Sequence, residues 1–219
     1  MLKVATVFGF SIVLLLGSVV SSPAVPIISQ GTGGDANESC AGPAGCPTVV
    51  QIAPASIPAV WQPNGAGVWV SYAQTGIGGS SPANSILAPV ATFTEILNVL
   101  SGSSILNLSV WADDTARVLV DGVQLIPAGG TAPNFTVDDH CAAGPLGCQA
   151  GEQGEFVSQV LAAGLHSLSI EVFQVAGQQF GLLYEGDLTP TPEPTSILLL
   201  GSALAAVGMA SRRRWLSKK

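Results

Sequence analysis

Runs that alternate apolar and polar residues recur through the middle of this chain, and patterns with helical spacing are almost absent from it. Val68, Val70 and Tyr72 fall on one face of such a run, and the same period of two recurs at residues 106–111. This period is typical of half-buried β-strands, and the Gly, Pro, Ser and Thr residues between the runs favour turns. We therefore predict that residues 59–187 form an all-β domain, an antiparallel β-sandwich.

One hairpin is predicted together with its turn. Residues 117–121 and 123–126 are two apolar runs that meet at Asp121 and Gly122. An Asp-Gly pair in this position favours a tight two-residue turn between antiparallel strands.

The order of the central elements resembles the jelly-roll sandwiches of the galactose-binding-like group. The resemblance rests on residues 108–123, in which an acidic turn and an Asp-Gly turn separate three strands, and on the long strand after Leu161. It covers about residues 105–187. It implies a jelly-roll-like architecture first, and glycan or ligand binding second.

The last thirty residues combine a proline tract, an apolar segment and a basic end. As a helix, the sixteen residues 196–211 would be ~24 Å long, close to the thickness of a bilayer core. The basic residues after them predict a cytoplasmic C-terminal end, so we predict a transmembrane helix that leaves the preceding chain outside. Six residues mark the two flanks of this segment: Pro192, Glu193, Pro194, Arg212, Arg213 and Arg214.

This tail resembles the PEP-CTERM sorting signal of Gram-negative bacteria. In that family the tail holds an exported precursor in the inner membrane until an exosortase-type enzyme processes it. The resemblance implies the same route for this chain, from a membrane-anchored precursor to the cell surface or extracellular matrix. A permanent anchor without processing is the alternative.

The N-terminus has the pattern of a secretory signal peptide. Lys3 precedes an apolar run, and the small residues Ser22 and Ala24 offer a cleavage site, with cleavage after Ser21 as the alternative.

Residues 25–58 are rich in Gly, Pro, Ser and Ala, which predicts a loosely ordered arm with one edge strand near 49–53. The predicted layout is a signal peptide (1–24), the arm (25–58), the sandwich (59–187), a Pro-rich linker (188–195), the transmembrane helix (196–211) and a basic cytoplasmic tail (212–219).

Charge is distributed very unevenly along the chain. The exported region, residues 25–192, contains thirteen acidic residues and a single basic one, Arg117, which gives a net charge of −12. Such a surface repels nucleic acid and anionic lipid headgroups. We therefore expect no nucleic-acid partner, whereas divalent cations and neutral or cationic glycans are compatible with this charge. High solubility alone is the simpler explanation.

Four cysteines form two closely spaced pairs, Cys40 with Cys46 and Cys141 with Cys148. An even number of cysteines in an exported chain favours disulfides. Three connectivities are possible, and the Gly and Pro residues within each pair favour the local one. His140 next to Cys141 raises a zinc site as an alternative, but the spacings differ from those of structural zinc sites.

Calcium is the cofactor that this sequence could hold. Carboxylates on converging loops, together with backbone carbonyls, can supply the six to eight oxygen ligands that calcium prefers. The alternative is that these carboxylates are solvated turn residues. The candidate ligands are five aspartates: Asp113, Asp114, Asp121, Asp138 and Asp139.

The sequence contains no recognisable catalytic motif of the hydrolase, metalloprotease or phosphate-binding kinds. His166 is interpreted as an ordinary strand residue, and Trp69 and Trp111 as core residues, with a sugar-stacking platform as the alternative. We therefore expect a non-enzymatic surface protein that associates with exopolysaccharide. The alternatives are an enzyme acting on surface glycans, which needs a buried carboxylate with a raised pKa, and a structural coat protein that self-associates.

Overall fold

The computed structural model describes residues 23–31, 38–42, 45–83, 87–126, 147–149, 157–174, 179–191 and 201–208. Within these residues nine strands form one sheet, in which every pair of neighbours is antiparallel. The predicted antiparallel, mostly-β architecture is confirmed, and residues Pro23–Glu193 form one compact unit. The strands are β1 (Val25–Ile28), β2 (Glu38–Ala41), β3 (Val50–Gln51), β4 (Val70–Ser71), β5 (Ala91–Asp113), β6 (Thr115–Val120), β7 (Val123–Ile126), β8 (Val157–Phe173) and β9 (Gly181–Pro190).

The sheet follows the order β3-β4-β9-β5-β8-β6-β7, with β1 paired to β9 and β2 paired to β5. Strand β5 therefore lies at its centre and has three partners along its 23 residues. Its first half pairs with β2 and β8, and its second half pairs with β8 and β9.

The sequence pattern predicts separate strands at 90–99 and 106–111, which the structure joins in β5, and at 156–161 and 165–175, which it joins in β8. The register between β5 and β8 shifts between Val99 and Ser103, next to Gly102, whose φ is 66°. The buried positions of β5 are odd-numbered up to Val99 and even-numbered from Ser104 to Val110. The extra residues between them form a bulge, which bends a strand without ending it and shifts the alternation by one position.

The main core consists of alternate residues of the long strands. Phe93 and Leu106 from β5 belong to it, together with Ile170 from β8 and Leu182 from β9. Each fully buried side chain of this size stabilises the fold by about 1.5–3 kcal/mol.

The predicted hairpin is confirmed at its turn and in both strands. β6 and β7 pair as antiparallel neighbours around Asp121 and Gly122, whose φ angles are 52° and 77°. Positive φ at both central residues is the conformation of the tight two-residue hairpin turn that Asp-Gly favours.

Strands extend beyond the predicted limits of the β domain on both sides. In the segment predicted as a loosely ordered arm, β1 pairs with β9 and β2 pairs with β5, and β3 lies at the sheet edge close to the predicted 49–53 strand. At the other end, β9 continues into the first residues of the predicted linker, where Pro190 pairs with Ser104. These pairings join residues far apart in sequence, so they leave no local pattern.

Of the predicted transmembrane helix, the structure describes a helix over residues 201–208. Among the described residues, no helix is both long and apolar enough to cross a membrane. Residues 1–22 of the predicted signal peptide and the whole of the predicted basic tail lie outside the described residues.

The first of the two predicted disulfides is present. Cys40 and Cys46 are bonded, with their Cα atoms 5.4 Å apart. Closing so short a loop contributes about 2–2.5 kcal/mol in the chain-entropy account. Cys148 is also in a disulfide, and Cys141, its predicted partner, lies outside the described residues.

Candidate functional site

Asp113 and Asp114 lie at the end of β5, and both side chains are buried, at 5% and 1% exposure. Asp113 pairs with Gly181 of β9, and the backbone N–H of Asp114 donates to the carbonyl oxygen of Phe173 at 3.3 Å. The interpretation of these two aspartates as solvated turn residues is therefore wrong, because this turn is enclosed by neighbouring strands.

The surroundings of Asp113 favour its neutral form. Burial raises the pKa of Asp113 well above its ordinary value, and a hydrogen bond and the negative charge of Asp114 raise it further, while a hydrogen bond from Trp61 acts in the opposite direction. A buried carboxyl group next to a second carboxylate keeps its proton, because two adjacent negative charges in a poorly solvated site repel each other. Neutral Asp113 then donates to Asp114, so the pair combines a proton donor with a carboxylate.

Three tryptophans form a second buried cluster next to this pair. Trp61, Trp69 and Trp111 are at most 4% exposed and pack with Ile52 and Leu183. The rings of Trp61 and Trp69 lie 4.2 Å apart between centroids at an angle of 39°. The interpretation of Trp69 and Trp111 as core residues is therefore confirmed, and neither is available as an exposed platform for sugar stacking.

The close packing of Trp61 depends on a glycine in β9. A Cβ atom placed on Gly181 would lie 2.9 Å from the Trp61 ring. Only glycine therefore lets the indole lie directly on the backbone of the sheet, within hydrogen-bonding reach of Asp113, which pairs with Gly181.

Replacing Asp113 with asparagine is expected to remove a pH dependence of stability. Above 3.8, the ordinary pKa of the group, the folded protein keeps a proton that the unfolded chain has lost, so the free energy of unfolding falls as pH rises toward the raised folded pKa. Asparagine does not titrate, and its amide can donate to Asp114 and accept from Trp61 as the neutral acid does. Urea unfolding measured between pH 4 and pH 8 should show a smaller decline for Asp113→Asn. In the control Asp187→Asn, the decline of the free energy of unfolding with pH that Asp113 causes should persist. An unchanged decline in Asp113→Asn would contradict the assignment of Asp113 as a buried, protonated acid.

Asp121 lies at the opposite end of β6 from Asp114 and has a different partner. Its carboxylate accepts from the backbone N–H of Ser167 at 2.9 Å and lies 2.7 Å from Nδ1 of His166, whose Nε2 lies 2.8 Å from the carbonyl oxygen of Ala162. Because both ring nitrogens face acceptors, the geometry fits a protonated imidazole. The hydrogen bond between His166 and Asp121 accordingly raises the pKa of His166 and lowers the pKa of Asp121. His166 is therefore more than an ordinary strand residue, since it ties the β6–β7 turn to β8.

The five aspartates predicted as calcium ligands do not all come together. Asp113 and Asp114 are adjacent, Asp121 is at the far end of β6, and Asp138 and Asp139 lie outside the described residues. Across the part of the chain that the structure describes, no three His, Cys, Asp or Glu residues are grouped so that they could hold a metal ion.

A further acidic pair, Glu38 and the buried Glu95, was not predicted from the sequence. Glu38 and Glu95 stand directly opposite each other on β2 and β5, and the hydroxyl of Tyr184 donates to Glu38 at 2.9 Å. Burial and the nearby charges of Glu95 and Glu38 raise the pKa of the Tyr184 hydroxyl. Glu38 also accepts from the backbone N–H of Gly31 at 3.1 Å. The pairing joins two segments more than fifty residues apart, so no local pattern indicates it.

The start of the predicted sorting segment is bound to the sheet. The backbone N–H and the hydroxyl of Thr191 both donate to the carbonyl oxygen of Ser103, each at 2.9 Å. The hydroxyls of Thr191 and Ser103 also form a hydrogen bond. Pro192, the first residue of the predicted sorting motif, therefore follows directly on a residue that is held by β5.

Residues 190–214 match the family model of the PEP-CTERM protein-sorting motif. This chain carries a PEP-CTERM sorting motif. The match contains all six predicted sorting residues, and it confirms the resemblance drawn from the proline tract, the apolar segment and the arginines. A PEP-CTERM motif indicates an exported protein that is processed at a membrane.

Two further comparisons concern the chain as a whole. No curated protein matches it. Among solved structures, it is similar to the native structure of a family 35 carbohydrate binding module from Clostridium thermocellum, with 11% identity and a TM-score of 0.37. The alignment covers 74% of this chain and 98% of that one.

Proposed function

We propose that this chain is an exported precursor that an exosortase-type enzyme processes at its PEP-CTERM motif before the β domain reaches the cell surface or extracellular matrix. The observation that carries the proposal is the motif at residues 190–214, which begins at the last residue of the last described strand. The sorting tail and the folded domain are thus consecutive parts of one chain, with no further domain between them.

At the surface, the domain associates with exopolysaccharide without catalysis. Support comes from the link between PEP-CTERM sorting and polysaccharide production that the family resemblance implies, and from the charge of −12 in the exported region. This charge keeps the domain soluble and disfavours anionic partners, so neutral or cationic glycans are the polymers it is suited to.

The sorting step depends on three residues of the tail. Replacing Pro192, Glu193 and Pro194 together with alanine is expected to leave the uncleaved chain in the membrane fraction. Immunoblotting of membrane, surface and medium fractions measures this retention. The control Thr195→Ala changes the residue that follows the Pro-Glu-Pro triplet and should be processed normally. Equal release of both variants would contradict processing at the motif.

Polysaccharide association is tested by co-sedimentation of the processed protein with exopolysaccharide isolated from the producing cells. Binding should be saturable, and the protein alone should remain in the supernatant. Sedimentation without polysaccharide would instead favour a self-associating coat protein. Absence of binding, with the protein still soluble, would contradict a polysaccharide partner.

A second candidate is an enzyme that acts on surface glycans, and the observation behind it is the buried Asp113 with its raised pKa. Asp113 and Asp114 hydrogen-bond each other directly, whereas glycoside hydrolases keep their two carboxyl groups about 5–9.5 Å apart. Glycoside hydrolysis uses two carboxyl groups in different environments, one protonated and one ionised. An enzymatic role predicts that the purified protein releases reducing ends from isolated exopolysaccharide and that Asp113→Asn abolishes this release. Absence of release by the unmodified protein excludes this activity on that polymer.

A further inference from the structure

An exposed apolar surface surrounds the bulge of β5. Leu100 is 84% exposed, Leu165 is 71% exposed and Ile96 is 43% exposed. Asn98 pairs with Leu165, so Leu165 is the diagonal neighbour of Ile96 on the outer face of these two strands, and Leu100 follows Val99, the last paired residue before the bulge. We call the three side chains, with the adjoining exposed residues 101–102 and 162–164, the apolar corner.

The two segments that form the apolar corner contain no charged residue, whereas the exported region of the chain is strongly acidic. Neither residues 96–104 nor residues 157–165 contain Asp, Glu, Lys or Arg, whereas the exported region as a whole has a net charge of −12. Contiguous exposed apolar side chains mark surfaces that interact with a partner or a membrane. An uncharged surface can approach anionic headgroups that the rest of the domain repels.

The chain leaves the sheet at this same corner. Thr191 is held by Ser103, which follows the exposed residues of the bulge. Only residues 192–195 separate Thr191 from Ser196, where the apolar segment of the sorting tail begins. Fully extended, the five steps from Thr191 to Ser196 span at most about 18 Å. A tail inserted in a bilayer therefore keeps Thr191, and with it the corner, close to the lipid headgroups.

We propose that the apolar corner docks on the lipid surface of the membrane that holds the PEP-CTERM tail. The occupant is the lipid interface itself: Leu100, Leu165 and Ile96 enter the boundary between headgroups and acyl chains, as apolar side chains of peripheral proteins do. Docking then fixes the orientation of the domain and presents the segment after Thr191 at the membrane surface, where the processing enzyme works. This inference rests on the proposed function, because it requires the tail to be inserted.

Photo-crosslinking of the full chain tests the docking. The photoreactive residue p-benzoylphenylalanine replaces Leu100 or Leu165 in the full chain, which is reconstituted in vesicles of phosphatidylethanolamine and phosphatidylglycerol. The matched control places the same residue at Ile77, which is also exposed, at 55%, but lies near the start of β9, where Thr75 contacts Phe180. The ten residues of β9 separate the two ends by about 33 Å. Mass spectrometry of the products identifies lipid adducts.

Insertion of the tail is measured in the same samples by resistance to alkaline carbonate extraction. With the tail inserted, we expect lipid adducts at positions 100 and 165 to exceed those at position 77 several-fold. Adduct yields equal to the control, or crosslinks to a second copy of the chain in place of lipid, would overturn the docking while leaving the sorting function intact. Extraction of the chain by carbonate would overturn the membrane-held precursor itself, and the docking with it.

Discussion

Alanine at position 186 is expected to destabilise the β domain by about 3 kcal/mol or more. Gly186 lies within β9, between β1 and β5, and pairs with Ile27 and Leu108. A Cβ atom on Gly186 would lie 2.0 Å from the carbonyl oxygen of Asn107 and 2.9 Å from the Cα atom of Leu108. Both contacts are with backbone, so no side-chain rotation relieves them and the central strands must move apart. The midpoint of urea unfolding, followed by circular dichroism, measures the loss.

The matched control is alanine at Gly122, in the β6–β7 turn. Gly122 has a φ of 77° but no atom within 4 Å of an added Cβ, so its substitution costs only the backbone strain, about 1–2 kcal/mol. Gly186 is not among the positive-φ glycines, and glycine within a strand is normally less favourable than alanine. A Gly186→Ala variant as stable as the unmodified protein would therefore contradict the close approach of β9 to β5.

Replacing Trp69 with alanine is expected to cost about 3–5 kcal/mol, the range for removing a fully buried tryptophan. The Trp69 side chain is completely buried against Trp61, and its Nε1 donates to the carbonyl oxygen of Gln62 at 2.7 Å. The loss corresponds to a fall in Tm of about 10 °C for a domain of this size. Calorimetry of the purified protein provides the measurement.

The variant Trp69→Phe separates packing from the hydrogen bond. It keeps an aromatic ring against Trp61 but leaves the Gln62 carbonyl without its indole donor, so a smaller loss is expected. Because Trp69 is buried, polysaccharide co-sedimentation by folded Trp69→Phe should match that of the unmodified protein. Weaker binding at unchanged stability would instead place Trp69 in a glycan site.

The sequence predicted those parts of the fold that depend on interactions between residues close together in the chain. The Asp121-Gly122 turn was predictable because two adjacent residues supply the positive φ angles that the turn needs. The continuity of β5 was not predictable, because the bulge near Gly102 shifts the alternation of buried and exposed positions and resembles a break between two strands. β1 and β2 were also missed, since their stability comes from partners such as Leu188 and Glu95, which are distant in sequence.

The sequence predicted which acidic residues form the candidate site but did not predict that their side chains are buried. Asp113 and Asp114 stand where an acidic turn is expected, and only the three-dimensional packing of Trp61 and β9 shows that they are buried. His166 was missed for a similar reason, because its partner Asp121 is 45 residues away. The sorting motif was predicted from the sequence and is confirmed at residues 190–214, since its proline tract, apolar segment and basic end are consecutive in the chain.

The central claim is processing at the PEP-CTERM motif, and the intact mass of the mature protein tests it most directly. The protein is recovered from cell-surface and medium fractions and its mass is measured without digestion. We predict a chain that ends near Pro192 to Pro194 and lacks the apolar segment and the arginines. A mass that retains Arg212 to Lys219 would contradict processing and would make this a protein anchored permanently in the inner membrane.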